Sequence, residues 1–466
     1  MVMVVEAANP RLKERGGLIL KEPANLAYLN EAIDGLQNFI GWDGRIKAST
    51  IDGQYPADFG RDTATFILLC SEAMAAFPFA RYKIAPLLPA FKESLRFLAK
   101  HQGQRDDPLT GERKGKIPHE IRFGPENQIK LKELKAHRWP VKGDEENLSM
   151  VNYYNIEATA LWLIALNRFC EVTEDSDLLK DLHPQIENAC EYLLNKEHPE
   201  TGLVLFQGRS SEVGLTHQNW KDSGDSAPPA PIYYTEVQGY YYQANLVAAK
   251  ILKNEDPESK LANELLERAD KLKKSFNKYF YWPEQGYYYQ ALLPGENGGF
   301  IPVREVTSNP GHCLYLGIIQ DEEKKKSLAE RLVQEDMLST TGIRTLSSDS
   351  SCFNLKRYQI GTSWPHDNAM CVLGLRKMGH HKKANTVSCR NLDILLRLGS
   401  AYEFTIAGED GSAWMAEELA KVKTPPNKNQ AWTQAAMVYL LATTPSYKFE
   451  QDELEEAFSQ WEKVAA

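Results

Sequence analysis

Residues 62–77 read DTATFILLCSEAMAAF, and residues 83–101 read KIAPLLPAFKESLRFLAKH. Wound as a helix, the first is apolar around most of its circumference. The second spaces its apolar residues three and four apart with polar ones between, which gives a single apolar stripe. A helix apolar on most faces must be enclosed by protein, whereas a striped helix lies at a surface. The pair therefore predicts an inner helix followed by an outer one.

The contrast recurs along the chain. Relatively apolar segments begin near 155 (NIEATALWLIALNRFC), 234 (YTEVQGYYYQANLVAAKIL), 308 (SNPGHCLYLGII), 366 (HDNAMCVLGLRKM) and 430 (QAWTQAAMVYLLAT). More charged amphipathic segments follow near 177, 257, 322, 381 and 450. With the opening pair this makes six inner–outer pairs, and one more helix is expected near 25–40. Six such pairs close into an all-α fold, the (α/α)6 toroid. The repeat, roughly 55 to 90 residues, is too long and uneven for a TPR or HEAT solenoid. Long segments rich in Gly, Pro and Trp precede inner helices at 41–61, 102–153, 197–233 and 400–429. Loops of that length usually carry function, so the N-terminal ends of the inner helices should form one decorated face. GLVLFQG (202–208) and GYYYQALL (286–293) read as short strands of hairpins within the loops. No Ser/Gly-rich linker divides the chain. Residues 1–466 are read as a single catalytic domain, with 1–24 as an N-terminal extension.

Composition excludes several function classes. The 466 residues carry 54 Lys+Arg against 63 Asp+Glu, a net charge of −9. An acidic balance argues against nucleic acid and anionic membranes as partners. No stretch approaches the roughly 18 to 20 apolar residues that cross a bilayer. The start, MVMVVEAANPRLKERGG, is a poor secretory signal. The seven cysteines are odd in number and form no Cys-x-x-Cys pair, and Cys70, Cys170 and Cys371 lie in apolar helical contexts. Buried reduced thiols and a soluble, cytoplasmic protein are expected. The sequence has no His-x-x-x-His, phosphate loop or dinucleotide fingerprint, so neither a metal nor a cofactor is expected. The expected partner is a small carbohydrate, and monomer and homo-oligomer both stay open.

Five stretches hold residues suited to chemistry. Arg61-Asp62 opens an apolar helix, either as a cap that suits the helix dipole or as a clamp on sugar hydroxyls. His119-Glu120, in GKIPHEIRFG, lies in a loop fixed by Pro118 and reads equally as a pair of polar side chains turned to water. Asp222 and Asp225 stand in HQNWKDSGDS, where Trp220 lowers local solvation and so raises a carboxyl pKa, as a general acid needs. RYQIGTSWPHDNAM brings Tyr358, Gln359, Trp364 and His366, with Asp367 and Asn368 at a helix start. Trp364 suits stacking on a sugar face, while His366 reads equally as a satisfied core histidine. Glu403 sits between Tyr402 and Phe404, with Gln430 and Trp432 following and Glu409 and Asp410 as nearby competitors. A carboxylate among aromatics is costly to bury without partners, so its presence asks for a reason. Asp222 and Glu403 come from loops of opposite halves of the toroid. That is the arrangement glycoside hydrolysis needs, with one acid on the leaving oxygen and one base on water.

At these residues the chain resembles a known group. YQIGTSWPHDNAMCVLGLRKMGH is similar to the Tyr-His-x-Gly-Ser-x-Trp-Pro-His-Asp-Asn motif of amylo-α-1,6-glucosidase domains of bacterial glycogen-debranching-type enzymes. FGRDTATFI, NWKDSGDS, TSNPGHCLYLGI, YEFTIAG and QAWTQAA resemble further motifs of that group, in the same order. Family 63 glycoside hydrolases, including mannosylglycerate and glucosylglycerate hydrolases, share the architecture. The resemblance implies that Asp222 is the general acid and Glu403 the general base. Gln359 replaces the usual His, Tyr402 replaces the usual Pro, and only about 24 residues precede the first helix where debranching relatives have a β-rich domain. These departures favour a small glycoside over glycogen.

The expected activity is therefore inverting hydrolysis of a small α-glucoside or short α-glucan, with the carboxylates roughly 6.5 to 9.5 Å apart. Arg61 and Asp62 would bind the terminal sugar, and Trp220, Trp364 and Trp432 would wall it. Hydrolysis of glucosyl- or mannosylglycerate is the alternative. It calls for a basic residue on the aglycone side, with Lys221, Arg304 and Arg357 as candidates. A non-catalytic sugar-binding protein is the contrasting class, and a lyase or epimerase would use His119, His312 or His366 as base.

Overall fold

The computed structural model describes residues 26–444 other than residue 145. Twelve of its helices build two layers. The inner layer consists of α2 (Gly60–Ala76), α4 (Ala158–Thr173), α6 (Thr235–Glu255), α8 (Asn309–Leu316), α10 (Pro365–Lys377) and α12 (Ala431–Thr443). The outer layer consists of α1 (Leu26–Gly35), α3 (Leu88–Lys100), α5 (His183–Lys196), α7 (Lys260–Tyr279), α9 (Glu322–Arg331) and α11 (His381–Leu398). Each inner helix packs on the next in chain order, and α12 packs back on α2, so the ring closes. This is the (α/α)6 toroid.

The two layers differ as their sequences require. In α12 only Gln434 escapes burial. In α7 the buried residues are Ala262, Leu265, Ala269, Leu272 and Phe276, one stripe at alternating three-and-four spacing. Each fully buried Leu or Phe contributes roughly 1.5 to 3 kcal/mol. Ring closure also needs small residues. A Cβ on Gly374 of α10 would lie 2.6 Å from the Leu314 Cβ of α8, and one on Gly311 of α8 would lie 2.5 Å from the Cys371 Sγ of α10.

Two expectations need correcting. The helix near 25–40 is no extra: α1 packs on α12 and on the Pro78–Ile84 helix, and it supplies an outer member of the ring. The outer segment expected near 450 lies outside the described residues. The single helix expected over 83–101 is broken, with a helix over Pro78–Ile84, a 3-10 turn over Ala85–Leu87 and α3 from Leu88. Pro86 and Pro89 lack the backbone N–H that a continuous helix would use, and each instead sits at the start of a new turn.

The long segments before the inner helices carry the small sheets. Asp58–Phe59 (β1), Glu120–Arg122 (β2) and Met150–Asn152 (β3) form one antiparallel sheet, paired Asp58 to Ile121 and Glu120 to Asn152. Tyr233–Tyr234 (β4), Ala291–Pro294 (β5) and Phe300–Val303 (β6) form another. GYYYQALL thus splits between β5 and a separate hairpin, in which Tyr287–Tyr288 pairs with Tyr281–Trp282. GLVLFQG forms only isolated bridges, Val204 to Glu197 and Phe206 to Ile232. Bridges Ser49–Gln430 and Ser363–Thr405 pin loops of distant sequence together over the ring. Cys70, Cys170, Cys190, Cys313 and Cys371 are buried free thiols, whereas Cys352 and Cys389 are exposed. Among the described residues, no helix is long and apolar enough to cross a membrane.

Candidate active site

The inner helices all begin on one face, and their first turns carry polar side chains that bond to one another. Arg61, in the first turn of α2, is buried at the centre. Its Nη1 donates to the Glu157 carboxylate at 3.2 Å and to the Asn219 carbonyl at 2.8 Å. Its Nη2 donates to Asp222 at 3.0 Å, and its Nε lies 4.0 Å from Asp62. Glu157 is the residue before α4. Asp62 accepts from Gln430, the residue before α12, at 2.9 Å. One guanidinium thus faces three carboxyls. Burial works against its charge, but Asp222, Glu157 and Asp62 outweigh burial and raise the Arg61 pKa.

The carboxyls shift upward in turn. Burial raises Asp62 to about 7 and Glu157 to about 8, with Arg61 opposing both. Asp222 is raised by burial, with Arg61 again opposing. About a fifth of its side chain stays open to solvent (21%), whereas Glu157 is wholly enclosed. Gln359 fastens the Asp222 loop by donating to the Trp220 carbonyl at 2.8 Å and accepting from the Ser223 N–H at 2.9 Å.

Glu403 is held without a cation. The Tyr358 hydroxyl donates to one oxygen at 2.5 Å and the Asn427 backbone N–H to the other at 3.1 Å. Burial raises it to about 7, these two bonds oppose the rise, and the charges of Asp62 and Asp222 add to it. Glu403 is thus near enough to the Arg61 cluster to feel two of its carboxylates. Asn427 in turn donates to Gln430 at 2.7 Å, which links Glu403 to Asp62. Tyr55 lies close enough to feel both Glu403 and Asp222.

The aromatic floor is packed on itself. His366 stacks on Trp432 at 3.8 Å and meets Trp220 edge-on at 5.0 Å. Trp364 stacks on Phe404, and Trp220 on His312. All three tryptophans are buried, so each already has a ring over one face; the open stacking platform expected of Trp364 is not formed. Burial keeps His366 neutral by lowering its pKa well below the usual histidine value.

Arg61, Asp62, Trp220, Asp222, Tyr358, Gln359, Trp364, His366, Glu403, Gln430 and Trp432 thus meet in one network. His119 stands next to it: its carbonyl accepts the Gly60 N–H and its ring meets Phe59 edge-on. Glu120 spends its carboxylate on Arg122 and Asn152. Asp225 pairs with Arg357 at 2.5 Å on the exposed side of the Asp222 loop. Lys221 turns inward and donates to the Thr345 carbonyl, and burial lowers it to about 8. Arg304 is exposed in the segment after β6.

Sequence reasoning missed Glu157, Asn427 and Tyr55. Glu157 stands at the start of an apolar helix, as Asp62 does, and that parallel was the available signal. A possible ligand set was also missed: His312, Asp367 and Cys371 bring ligand atoms within 4.8 Å of one another. Both His312 nitrogens are engaged, Nδ1 with Tyr240 at 2.6 Å and Nε2 with Asp367 at 2.7 Å. A cation there would have to displace the histidine–carboxylate bond beside the Lys221 charge.

The mannosylglycerate hydrolase MGH1-like glycoside hydrolase domain matches residues 79–398, more than half of the chain. Solved structures share the fold. A GH63 mannosylglycerate hydrolase from Thermus thermophilus in complex with glucose is 15% identical, with a TM-score of 0.61 over 88% of this chain and 99% of that one. The same enzyme in complex with Tris and D-glycerate gives 15% and 0.62, over 89% and 99%. An uncharacterized conserved protein from Thermus thermophilus gives 15% and 0.62, over 88% and 99%. None of the curated proteins matches the chain. The matching family is thus the MGH1-like one; the narrower resemblance to amylo-α-1,6-glucosidase domains finds no counterpart among these matches.

Proposed function

The chain belongs to the mannosylglycerate hydrolase MGH1-like glycoside hydrolase family, and on that premise we propose that it hydrolyses a small α-glycoside of glyceric acid, of the mannosyl- or glucosylglycerate type, with inversion at the anomeric carbon. Residues 1–466 form one catalytic domain, with 1–24 as an N-terminal extension. Asp222 protonates the leaving oxygen, and Glu403 takes a proton from the attacking water. The observation that carries this reading is the contrast in how the two carboxyls are held. Asp222 is raised by burial and keeps part of its side chain open to solvent. Glu403 is fixed by a phenol and a backbone amide, with its pKa at about 7. An acid and a base of ordinary carboxylate type would both be ionised at neutral pH; raising them lets one keep its proton.

Arg61, Asp62 and Gln430 order the floor beneath the sugar, and Trp220, Trp364, His366 and Trp432 keep that floor dry. Of the three basic candidates for the aglycone carboxylate, Lys221 is turned inward. Arg357 is the one beside the Asp222 loop, through its pair with Asp225. A short α-glucoside is the second reading, favoured by the motif resemblance.

The test is a substrate panel: mannosylglycerate, glucosylglycerate, maltose, isomaltose, trehalose and aryl α-glucosides, each followed for release of free sugar. Turnover of the glycerate glycosides well above the rest supports the proposal. Preference for maltose or isomaltose selects the second reading, and release from none of them favours a sugar-binding protein.

A further inference from the structure

Two consecutive residues hold the two carboxyls of the mechanism. The Tyr358 hydroxyl donates to Glu403 at 2.5 Å. Gln359, its neighbour, fastens the loop that carries Asp222. Its Nε2 donates to the carbonyl of Trp220, ahead of Asp222, at 2.8 Å. Its Oε1 accepts from the backbone N–H of Ser223, just after Asp222, at 2.9 Å. One amide therefore brackets Asp222, and it also acts on the carboxyl itself, as a hydrogen bond that lowers the Asp222 pKa. Gln359 is buried and both ends of its amide are engaged, so its side chain serves the Asp222 loop and not the sugar.

We propose that Gln359 is a positioning residue: residues 358 and 359 form a bridge that sets where the general acid stands relative to the general base, and Gln359 is its acid end. This rests on the reading of Asp222 as general acid and Glu403 as general base. Neighbouring Cα atoms are about 3.8 Å apart across a trans peptide, so the two ends of the bridge have little slack between them.

The bridge is itself firmly seated. The Thr362 hydroxyl donates to the Tyr358 carbonyl at 2.8 Å, and the Gly361 N–H donates to the Thr345 hydroxyl at 2.9 Å. The Thr345 N–H donates back to the Thr362 carbonyl at 2.9 Å. The Tyr358 ring meets Trp364 and Phe404 edge-on. Lys221 donates to the Thr345 carbonyl, which ties the residue before Asp222 to the same frame. Ser226 donates to the Lys221 and Ser223 carbonyls, and so closes the acid loop from within. Ser226 fixes the shape of that turn; Gln359 fixes its place.

Place matters because a general acid must lie within hydrogen-bond reach of the oxygen it protonates. An error of about 1 Å costs about 10²-fold. An alkoxide leaving group depends on that proton, whereas 2,4-dinitrophenolate, a far weaker base, leaves with little help. A displaced acid is therefore felt on the first kind of substrate and hardly on the second.

The experiment measures kcat and KM for the native enzyme, Gln359→Met and Asp222→Asn on two glycosides of one sugar. One is the alkyl α-glycoside that the native enzyme turns over fastest, and the other is the 2,4-dinitrophenyl α-glycoside. Gln359→Met keeps the bulk and makes neither bond. It is expected to lower kcat on the alkyl glycoside about 10²-fold, and on the dinitrophenyl glycoside by less than about tenfold, with KM little changed. An equal fall on both substrates, or a loss carried by KM, overturns the proposal. Gln359→Asn keeps both groups but withdraws them by one methylene. It is expected to show a smaller fall with the same preference, and it serves as the test where the Met variant does not fold. A crystal structure of whichever variant folds needs no turnover. The Asp222 carboxyl is expected to move relative to Glu403 by about 1 Å, and an unmoved carboxyl overturns the proposal. Asp222→Asn should show the same leaving-group preference more strongly. Equal losses on both substrates, or near-native activity, in that variant overturn instead the reading on which the proposal rests.

Discussion

Asp222 and Glu403 feel each other's charge but are held by opposite means. Asp222 leans on a permanent cation that two other carboxyls also claim, Glu157 at 3.2 Å and Asp62 at 4.0 Å. Glu403 has a neutral hydroxyl and a backbone N–H, and the charges of Asp62 and Asp222 push its pKa up. On the first side burial is opposed chiefly by the Arg61 charge, so the cation matters. On the second it is opposed by hydrogen bonds, so geometry matters. Burial raises both groups, and what opposes burial differs.

The comparison breaks most directly by deleting either carboxyl. Asp222→Asn and Glu403→Gln are each expected to lower kcat by about 10³-fold or more with far-UV circular dichroism unchanged. Near-native turnover in either variant removes its assigned role. Next comes the shared cation. Arg61→Met leaves Asp222, Glu157 and Asp62 without their partner, and loss of one member of such a buried set costs about 3 to 5 kcal/mol. A large fall in Tm is expected, and an unchanged Tm would show that the cluster is not held by Arg61.

A smaller effect tests the neutral side. The Tyr358 hydroxyl favours ionised Glu403 and so lowers its pKa. Tyr358→Phe removes that bond, the pKa rises above about 7, and the base ionises only at higher pH. The acidic limb of kcat/KM should therefore move up by about one unit, and a downward move would contradict the account. The smallest change is Arg357→Ala. Its pair with Asp225 is largely exposed, so stability should change by less than about 1 kcal/mol. KM for a glycerate glycoside should nevertheless rise several-fold while KM for an aryl α-glucoside stays put; equal changes would remove Arg357 from the aglycone side.

The ring was legible because burial writes itself into sequence. The all-round apolar character of α12 and the single stripe of α7 are local patterns that a reader can count. The inner helix starts expected at 62, 155, 234, 308, 366 and 430 fall within a few residues of those observed. What misled was chain chemistry at short range, as where Pro86 and Pro89 divide a segment whose apolar spacing looked continuous. In the site, residues carried by distinctive runs, such as Trp364 and His366, stood out. Glu157 did not, because an acid before a helix already has a local explanation, and its bond to Arg61 spans 96 positions. The same long range hides Asn427, which acts on Glu403 through its backbone N–H, a group every residue but proline possesses. Conversely, Glu120 looked available until β2 set its carboxylate beside Arg122 and Asn152.

Whether Asp222 and Glu403 work as acid and base across one water is decided by the configuration of the first product. Proton NMR during the first minutes of mannosylglycerate or glucosylglycerate hydrolysis distinguishes the anomers before mutarotation mixes them. The β-anomer appearing first from the α-glycoside is the result expected of an inverting pair. The α-anomer appearing first would mean a retaining mechanism and would contradict the account.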